Sequence, residues 1–233
     1  MSDKIRLVKN QTIRLKKVTD ALKEVRCGMG WKPSSSGHSW DLDQSIIVVD
    51  DDGRVVKEIS YREPEHSREF HYHGDDLYGG SGGRKDDDEK IDINFPKLDP
   101  SYDRIIVIMN IYEALRKSQD LSMVKNAYIH LWDVDAKKDL VEYPIENTDK
   151  FKGKTGMFVG EFRKKDGEWE FQAIGEPVRV ERIADMVEII RRKNSKDSTA
   201  NQSWEEFLAQ YSQNEQQVRG DSRQKGFFGR LFS

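Results

Sequence analysis

Cysteine and long apolar runs are scarce in this chain of 233 residues. The single cysteine, Cys27, cannot form an internal disulfide, which favours a reducing compartment. Residues 1–15 lack the apolar core of a secretory signal, and no segment approaches the ~20 apolar residues of a membrane-spanning helix. These absences predict a cytoplasmic protein.

A strong charge of one sign is also lacking. The net charge is −3 and the isoelectric point is about 6.0, so no general field attracts nucleic acid, and we expect no nucleic-acid partner. Charged residues nevertheless make up 35% of the chain, against 36% hydrophobic residues, and the mean hydropathy is −0.82. A core of ordinary size must therefore coexist with unusually polar loops or tails.

Short apolar runs separated by turns fill the chain from residue 5 to residue 174, a pattern typical of strands. Strict alternation in residues 168–173 predicts Trp169, Phe171 and Ala173 on the core face. Residues 105–109 are apolar without alternation, as in a central strand covered on both faces. Ten predicted strands indicate an all-β sandwich of two antiparallel sheets. They are Ile13–Leu15, Val25–Gly30, Ser45–Val49, Val55–Tyr61, Ile91–Phe95, Arg104–Tyr112, Ala127–Val134, Leu140–Tyr143, Met157–Phe162 and Trp169–Ile174.

The apolar period becomes helical towards the end of the chain. Ile183, Met186, Val187 and Ile190 recur at the spacing of an amphipathic helix. Further on, Ser203 and Glu206 have the spacing of a capping box at the start of a second helix. The predicted organisation is a β-sandwich domain at 1–178, an amphipathic helix at 179–193, a linker at 194–202, a second amphipathic helix at 203–218 and a basic, aromatic tail at 219–233.

The tail is a candidate docking segment. Phe227, Phe228, Leu231 and Phe232 would form one apolar face on a helix, with cationic residues beside them. Such a segment suits peripheral attachment to an anionic membrane or to an acidic protein partner, with folding back onto the sandwich or plain disorder as the alternatives.

Two acidic clusters separated by strand-like sequence are the strongest functional signal. Residues two apart on a strand point the same way, so Asp41 and Asp43 aim at one place while Leu42 faces the core. Carboxylates about 4 Å apart repel by roughly 4 kcal/mol per pair at an effective dielectric near 20, which a cation relieves. Hard carboxylate oxygens favour calcium, which takes about 6 to 8 oxygen ligands. The predicted metal ligands are Asp41, Asp43, Asp75, Asp76, Asp87, Asp88 and Glu89.

Other interpretations of these acidic residues stay open from the sequence. A run of charges is often only a solvated loop. Paired carboxylates also serve as general acid and base in glycosidases, and a metal-dependent hydrolase would use the same residues with an open coordination position.

Several further motifs were weighed and favour structural roles. Residues 50–53 lack the spacing of an EF-hand and predict a hairpin turn in which Asp-Gly supplies positive φ angles. Residues 79–85 are glycine-rich but fail the Walker spacing. His66, His71 and His73 suggest a zinc or nickel site, although ordinary strand histidines are the favoured interpretation. With Cys27 interpreted as a buried small residue, no catalytic constellation emerges, and we expect no enzyme.

Motifs spread over residues 5–176 occur in a familiar order. Residues 25–31 end in Gly-Met-Gly-Trp, residues 40–45 read Trp-Asp-Leu-Asp-Gln-Ser, and residues 74–76 and 87–89 read Gly-Asp-Asp and Asp-Asp-Glu. Residues 7–9, 13–15, 126–129, 143, 157–161 and 167–175 complete the series. With these motifs in this order, the chain resembles the TerD-type tellurium-resistance and stress-response domain.

The resemblance implies a β-sandwich that binds calcium through its acidic loops, in proteins linked to resistance against tellurite and other stresses. Partners would be calcium and other stress or tellurium-resistance proteins. The chain departs from the family pattern at Asp76, which replaces a usual asparagine, in the longer loop at 80–85, and after Gly175, where a charged helix replaces a glycine-rich ending. We therefore predict a calcium-binding, non-enzymatic stress-response scaffold, with a metal-dependent hydrolase as the alternative.

Overall fold

Two six-stranded sheets carry the fold in a computed structural model that describes residues 5–15, 23–32, 40–77, 87–145, 149–195 and 202–213. The first sheet has the order β1-β10-β9-β3-β7-β6 and the second the order β2-β12-β11-β8-β4-β5. All neighbouring strands are antiparallel except the parallel pair β1 and β10. The strands are β1 (Ile5–Arg6), β2 (Thr12–Arg14), β3 (Glu24–Lys32), β4 (Leu42–Asp50), β5 (Val55–Ile59), β6 (Phe70–Tyr72), β7 (Glu89–Asn94), β8 (Tyr102–Ile111), β9 (Lys125–Asp133), β10 (Lys138–Pro144), β11 (Gly156–Lys165) and β12 (Glu168–Val178). Short 3-10 turns lie at Phe95–Lys97, Leu121–Met123 and Asp149–Phe151.

The predicted sandwich is confirmed, and each of the ten predicted strands corresponds to an observed one. The two strands that the sequence did not indicate are β1 and β6, which have two and three residues. Segments so short do not complete an alternation, so they carry no periodic signal.

The hydrophobic core lies between the two sheets. Phe171 and Ala173 are fully buried in it, as the alternation predicts, and the Phe171 ring packs 4.8 Å from that of Phe162. Trp169 also packs against the core, on the predicted face, but it is only partly buried because it lies at the margin of the core, where its ring meets Phe95 edge-on at 5.4 Å.

Strand β8 is buried on both faces, which explains its run of apolar residues without alternation. Ile105 and Val107 belong to the core between the sheets, whereas Ile106 and Ile108 are equally buried on the other face. Helix α1 (Ile183–Lys193) packs against this second sheet, since a side chain at Gly156 would lie 3.0 Å from Met186 Sδ. The predicted apolar stripe of α1 is buried, together with Ile189.

Two tight turns show how the sequence sets the strand connections. Asp166 and Gly167 both adopt positive φ, at 52° and 77°. In the predicted hairpin between β4 and β5, only Gly53 does so, at 80°. There the Asp50 carboxylate accepts a 2.7 Å hydrogen bond from the Arg54 amide, so a side chain closes the turn in place of a second left-handed residue.

The chain divides into two compact units, Met1–Arg192 and Lys193–Ser233. Nearly all of α1 thus lies in the same unit as the sandwich. In the second unit, helix α2 (residues 204–213) begins with the predicted capping box: Glu206 N donates to Ser203 Oγ at 3.2 Å and Ser203 N donates to Glu206 Oε2 at 3.0 Å. The loop at 79–85, most of the linker and the tail at 219–233 lie outside the described residues. Neither helix in the described part is long and apolar enough to cross a membrane.

Replacing Phe171 by alanine should lower the free energy of unfolding by about 3 to 5 kcal/mol, because a fully buried ring is lost and a cavity remains. Trp169→Ala should cost less, since that ring is only partly buried. Glu170→Ala, on the opposite face, should stay within about 0.5 kcal/mol. Urea denaturation measures all three, and equal midpoints for Phe171→Ala and Glu170→Ala would show that the strand faces are assigned wrongly.

Candidate metal centre

Three carboxylates converge at the start of β4. Asp41, Asp43 and Asp75 each offer an oxygen atom, and these atoms all lie within 4.8 Å of one another. Asp41 directly precedes β4, Asp43 is its second residue, and Asp75 follows β6. Asp41 and Asp43 are buried whereas Asp75 is exposed, so the group is open to solvent on one side only.

The local fold follows from the burial of Leu42. This side chain is fully buried in the core, so Asp41 and Asp43 on either side of it share the opposite direction, as the two-residue spacing predicts. Asn110 is the cross-strand partner of Asp43 on β8, and its Nδ2 donates to Asp43 Oδ2 at 2.9 Å. Lys117 Nζ lies 3.6 Å from Asp41 Oδ2.

Glu89 joins this group from the other sheet. Strand β5 pairs with β4 only from Ile46 onwards, so the edge of β4 is open at Gln44. The backbone amide of Gln44 donates a hydrogen bond to Glu89 Oε2 at 2.5 Å, and the Glu89 side chain also interacts with Asp75. One carboxylate thus connects β7 of the first sheet to β4 of the second.

Several buried oxygen atoms of this centre lack a donor. Among the described residues, no hydrogen-bond donor reaches Asp41 Oδ1, Glu89 Oε1 or Asn110 Oδ1. A buried polar atom without a partner costs about 1–3 kcal/mol. A hard cation would satisfy several such oxygens at once, so the residues present fit a metal ion with oxygen ligands.

The electrostatics lead to the same requirement. Burial, reinforced by the charges of Asp41 and Asp75, raises the pKa of Asp43 from 3.8 to about 8. Burial raises the pKa of Glu89 from 4.5 to about 10, although the hydrogen bond from the Gln44 amide opposes the change. Burial also raises the pKa of Asp41, against the attraction of Lys117. Without a cation the centre therefore holds protons at neutral pH, and a bound cation would release them.

Two of the other predicted ligands, Asp87 and Asp88, make separate contacts. Asp87 packs over Gly28, where any side chain would collide with its carboxylate, and its Oδ2 lies 3.3 Å from His130 Nδ1. Asp88 Oδ2 accepts a 2.9 Å hydrogen bond from the Trp31 amide. Of the seven predicted residues, the structure gathers Asp41, Asp43, Asp75 and Glu89, and does not place Asp76, Asp87 or Asp88 with the triad of aspartates.

The Gly-Met-Gly-Trp motif supports the centre from β3. Gly30 leaves room for the ring of Tyr128, as Gly28 does for Asp87. Trp31 Nε1 donates to the carbonyl oxygen of Trp40 at 3.1 Å, which ties β3 to the residue just before Asp41. The motif thus positions acidic residues rather than binding a ligand itself.

Sequence reasoning missed Asn110, Lys117 and His130. Asn110 follows the apolar run at 105–109, so a polar residue near the end of a buried strand was an available signal. Lys117 lies in a turn, where no periodic sequence pattern singles it out. His130 is buried between Asp87 and Asp139; burial lowers its pKa, but the two carboxylates outweigh that effect and hold the pKa above its usual value. Cys27 is fully buried, as expected, and burial raises the pKa of its thiol.

The fold and this centre define a two-sheet β-sandwich with a partly buried cluster of carboxylates at the start of a central strand. The chain belongs to the TerD domain family, whose model matches residues 3–189. The match extends past the motifs at 5–176 and includes more than half of α1, which the sequence-based division at residue 178 left outside.

Curated relatives and solved structures agree with this assignment. The chain is 30% identical to the stress response protein SCP2 of Bacillus subtilis (strain 168) over 78% of this chain and 97% of that protein. It is 29% identical to the tellurium resistance protein TerZ of Serratia marcescens over 78% and 94%. The fold matches the crystal structure of a homologue of the telluride resistance protein TerD from Streptomyces coelicolor A3(2), with a TM-score of 0.57, 19% identity, and coverage of 75% of this chain and 99% of that one.

The raised pKa values predict how stability depends on pH in the absence of divalent cations. Between the ordinary values of 3.8 and 4.5 and the folded values of about 8 and about 10, Asp43 and Glu89 bind more protons in the folded protein than in the unfolded chain. Their stabilising contribution is complete at low pH and is lost as the pH rises through the folded values. The melting temperature in chelator should therefore fall from about pH 5 to about pH 9.

The comparison with Asp43→Asn isolates this effect, because asparagine mimics the protonated acid and cannot ionise. The variant should melt close to the wild type at the acidic end and above it at the alkaline end. Parallel melting curves for the two proteins across the range would contradict the raised pKa of Asp43.

Proposed function

We propose that this chain is a calcium-binding, non-enzymatic module of the stress-response type, in which Asp41, Asp43, Asp75 and Glu89 hold the ion. The observation that carries the proposal is the group of close, mostly buried carboxylates, in which Asp41 Oδ1 and Glu89 Oε1 are buried and receive no donor from the described residues. The ligand set consists of oxygens alone, which favours a hard cation over zinc or copper.

Calcium suits the geometry better than magnesium. Magnesium demands near-ideal octahedral coordination and gives up water reluctantly, whereas calcium accepts six to eight oxygens at irregular angles. The ligands come from the start of β4, the start of β7 and the segment after β6, and the exposed Asp75 leaves space for water or carbonyl oxygens. Such a varied set supports the larger ion.

Bound calcium would also stabilise the arrangement of the strands around its site. Bound to the four acids, it would hold β4 and β7, which belong to opposite sheets, against the segment after β6. Its role would be to order this end of the sandwich into a binding surface for a partner. A scaffold role in the cytoplasm, with other stress or tellurium-resistance proteins as partners, is part of the proposal. The names of the relatives, which denote stress and resistance proteins, support the link to the stress response.

Two earlier predictions stay open beside this proposal. Asp87 Oδ1 is also buried without a donor among the described residues, so a second ion involving Asp76, Asp87 or Asp88 stays a prediction that calorimetric stoichiometry can decide. The metal-dependent hydrolase would use the same centre, and nothing in the geometry favours it over a binding role.

Calcium should raise the melting temperature of the wild-type protein measured after removal of divalent cations by chelator. An ion that binds only the folded state stabilises it by RT ln(1 + [L]/Kd), about 2.7 kcal/mol at a hundredfold excess over Kd. Asp43→Asn should lose most of this shift, because it removes a charged ligand from the middle of the group. Magnesium at the same concentration should give a smaller shift.

The matched control is Asp52→Asn, which removes the same charge from the exposed turn at the other end of β4. This variant should keep the full calcium shift. Equal calcium shifts in Asp43→Asn and Asp52→Asn, or no shift in the wild type, would overturn the proposed centre.

A further inference from the structure

Three histidines lie on one surface beside the acidic centre, and none of them belongs to it. His66 and His71 face each other across an isolated antiparallel bridge, and His73 follows His71 by two residues. The ring centroids are 4.8 Å apart for His66 and His71, and 4.5 Å apart for His71 and His73. All three histidines line one pocket of about 410 Å³, together with Asp75.

The distance between two ring nitrogens is informative. His66 Nδ1 and His71 Nδ1 lie 3.3 Å apart. Zinc binds histidine nitrogen at about 2.0–2.1 Å with tetrahedral angles, which places two nitrogen ligands roughly 3.3–3.4 Å from each other. The two Nδ1 atoms are thus already spaced as a pair of zinc ligands would be.

His73 is held differently. Its Nε2 contacts Asp92 Oδ2 at 2.7 Å, and Arg26 fixes that carboxylate with hydrogen bonds of 2.7 and 2.9 Å. The ring meets that of His71 edge-on, with an interplanar angle of 79°. His73 therefore orients the ring of His71 from the side, while His66 supplies the facing nitrogen.

We propose that His66 and His71 bind a divalent transition-metal ion of the zinc and copper class through their Nδ1 atoms, with water in the remaining positions. Imidazole nitrogen suits zinc, copper and nickel, whereas carboxylate and carbonyl oxygens suit calcium. This site is separate from the acidic centre in its ligands and in its metal class. Asp75 lines the same pocket and contributes a negative charge that favours a cation, whereas the charge of Asp92 is offset by its ion pair with Arg26.

The test is isothermal calorimetry with zinc chloride on the full chain, with calcium chloride present in excess so that oxygen sites are occupied. The wild type should bind one zinc ion at this site. His66→Ala and His71→Ala should each weaken zinc binding by at least about tenfold. Loss of a group that only hydrogen-bonds to a metal ligand already weakens binding by about that factor, and these variants lose a ligand itself. Both histidines are exposed, so these variants should melt like the wild type.

Two matched controls separate this site from its neighbours. Asp43→Asn should not weaken zinc binding, because the acidic centre supplies no ligand to the zinc ion. His73→Ala should weaken it only slightly, since that ring orients a ligand. Zinc binding that survives the loss of His66 or His71, or that disappears in Asp43→Asn, would overturn the assignment.

Copper adds a readout that reports the ligands directly. The electron paramagnetic resonance spectrum of the protein with one equivalent of copper(II) should show coupling to two imidazole nitrogens in the wild type and to one in His66→Ala. No nitrogen coupling in the wild type would mean that the two histidines merely share a hydrogen bond. Coupling to three nitrogens would overturn the two-ligand centre in favour of one that includes His73.

Discussion

Repulsion and desolvation among the buried carboxylates constrain this end of the sandwich more than any other interaction. Two charges 4 Å apart repel by about 4 kcal/mol at an effective dielectric of 20, and burial adds to that cost. In the absence of metal, this cost favours the protonated forms of Asp43 and Glu89, which is why the pKa values of both side chains are raised. The same cost would favour a cation in this centre, because an ion would remove the repulsion and supply the partners that the buried oxygens lack.

The rest of the molecule holds these acids in place. The core fixes Leu42 and thereby the direction of Asp41 and Asp43. Strand β8, buried on both faces and flanked by β4 and β11, supplies Asn110 in register with Asp43. Trp31 connects β3 to the residue before Asp41. Side chains held by packed strands lose little freedom when they bind a ligand, so the sandwich would contribute to the proposed affinity for a cation by preorganisation.

Two different sequence signals predicted the strands and part of the acidic centre. Alternation of apolar residues reports which strands exist, and a spacing of two residues reports that Asp41 and Asp43 point together. Neither signal reports which strands become neighbours, so the roles of Gln44 and Asn110 could not be predicted: both depend on the register of β4 with β5 and β8. Asp87 and Asp88 precede β7, which begins at Glu89, so strand alternation does not govern their direction, and the prediction that they join the other acids rests on their clustering and on the resemblance.

The proximity of two different ligand sets raises the question of how they would influence each other. Asp75 belongs to the acidic centre and also lines the pocket with the histidines, so a cation on either side would experience its charge. Two divalent ions bound near the same carboxylate would each reduce its attraction for the other, and linkage makes the effect reciprocal: each ion would weaken the binding of the other by the same factor. The ligand chemistry still separates the metals, since oxygens retain calcium while imidazoles select the softer ion. Asp75, exposed and common to both, is therefore the residue through which occupancy of one site would be transmitted to the other.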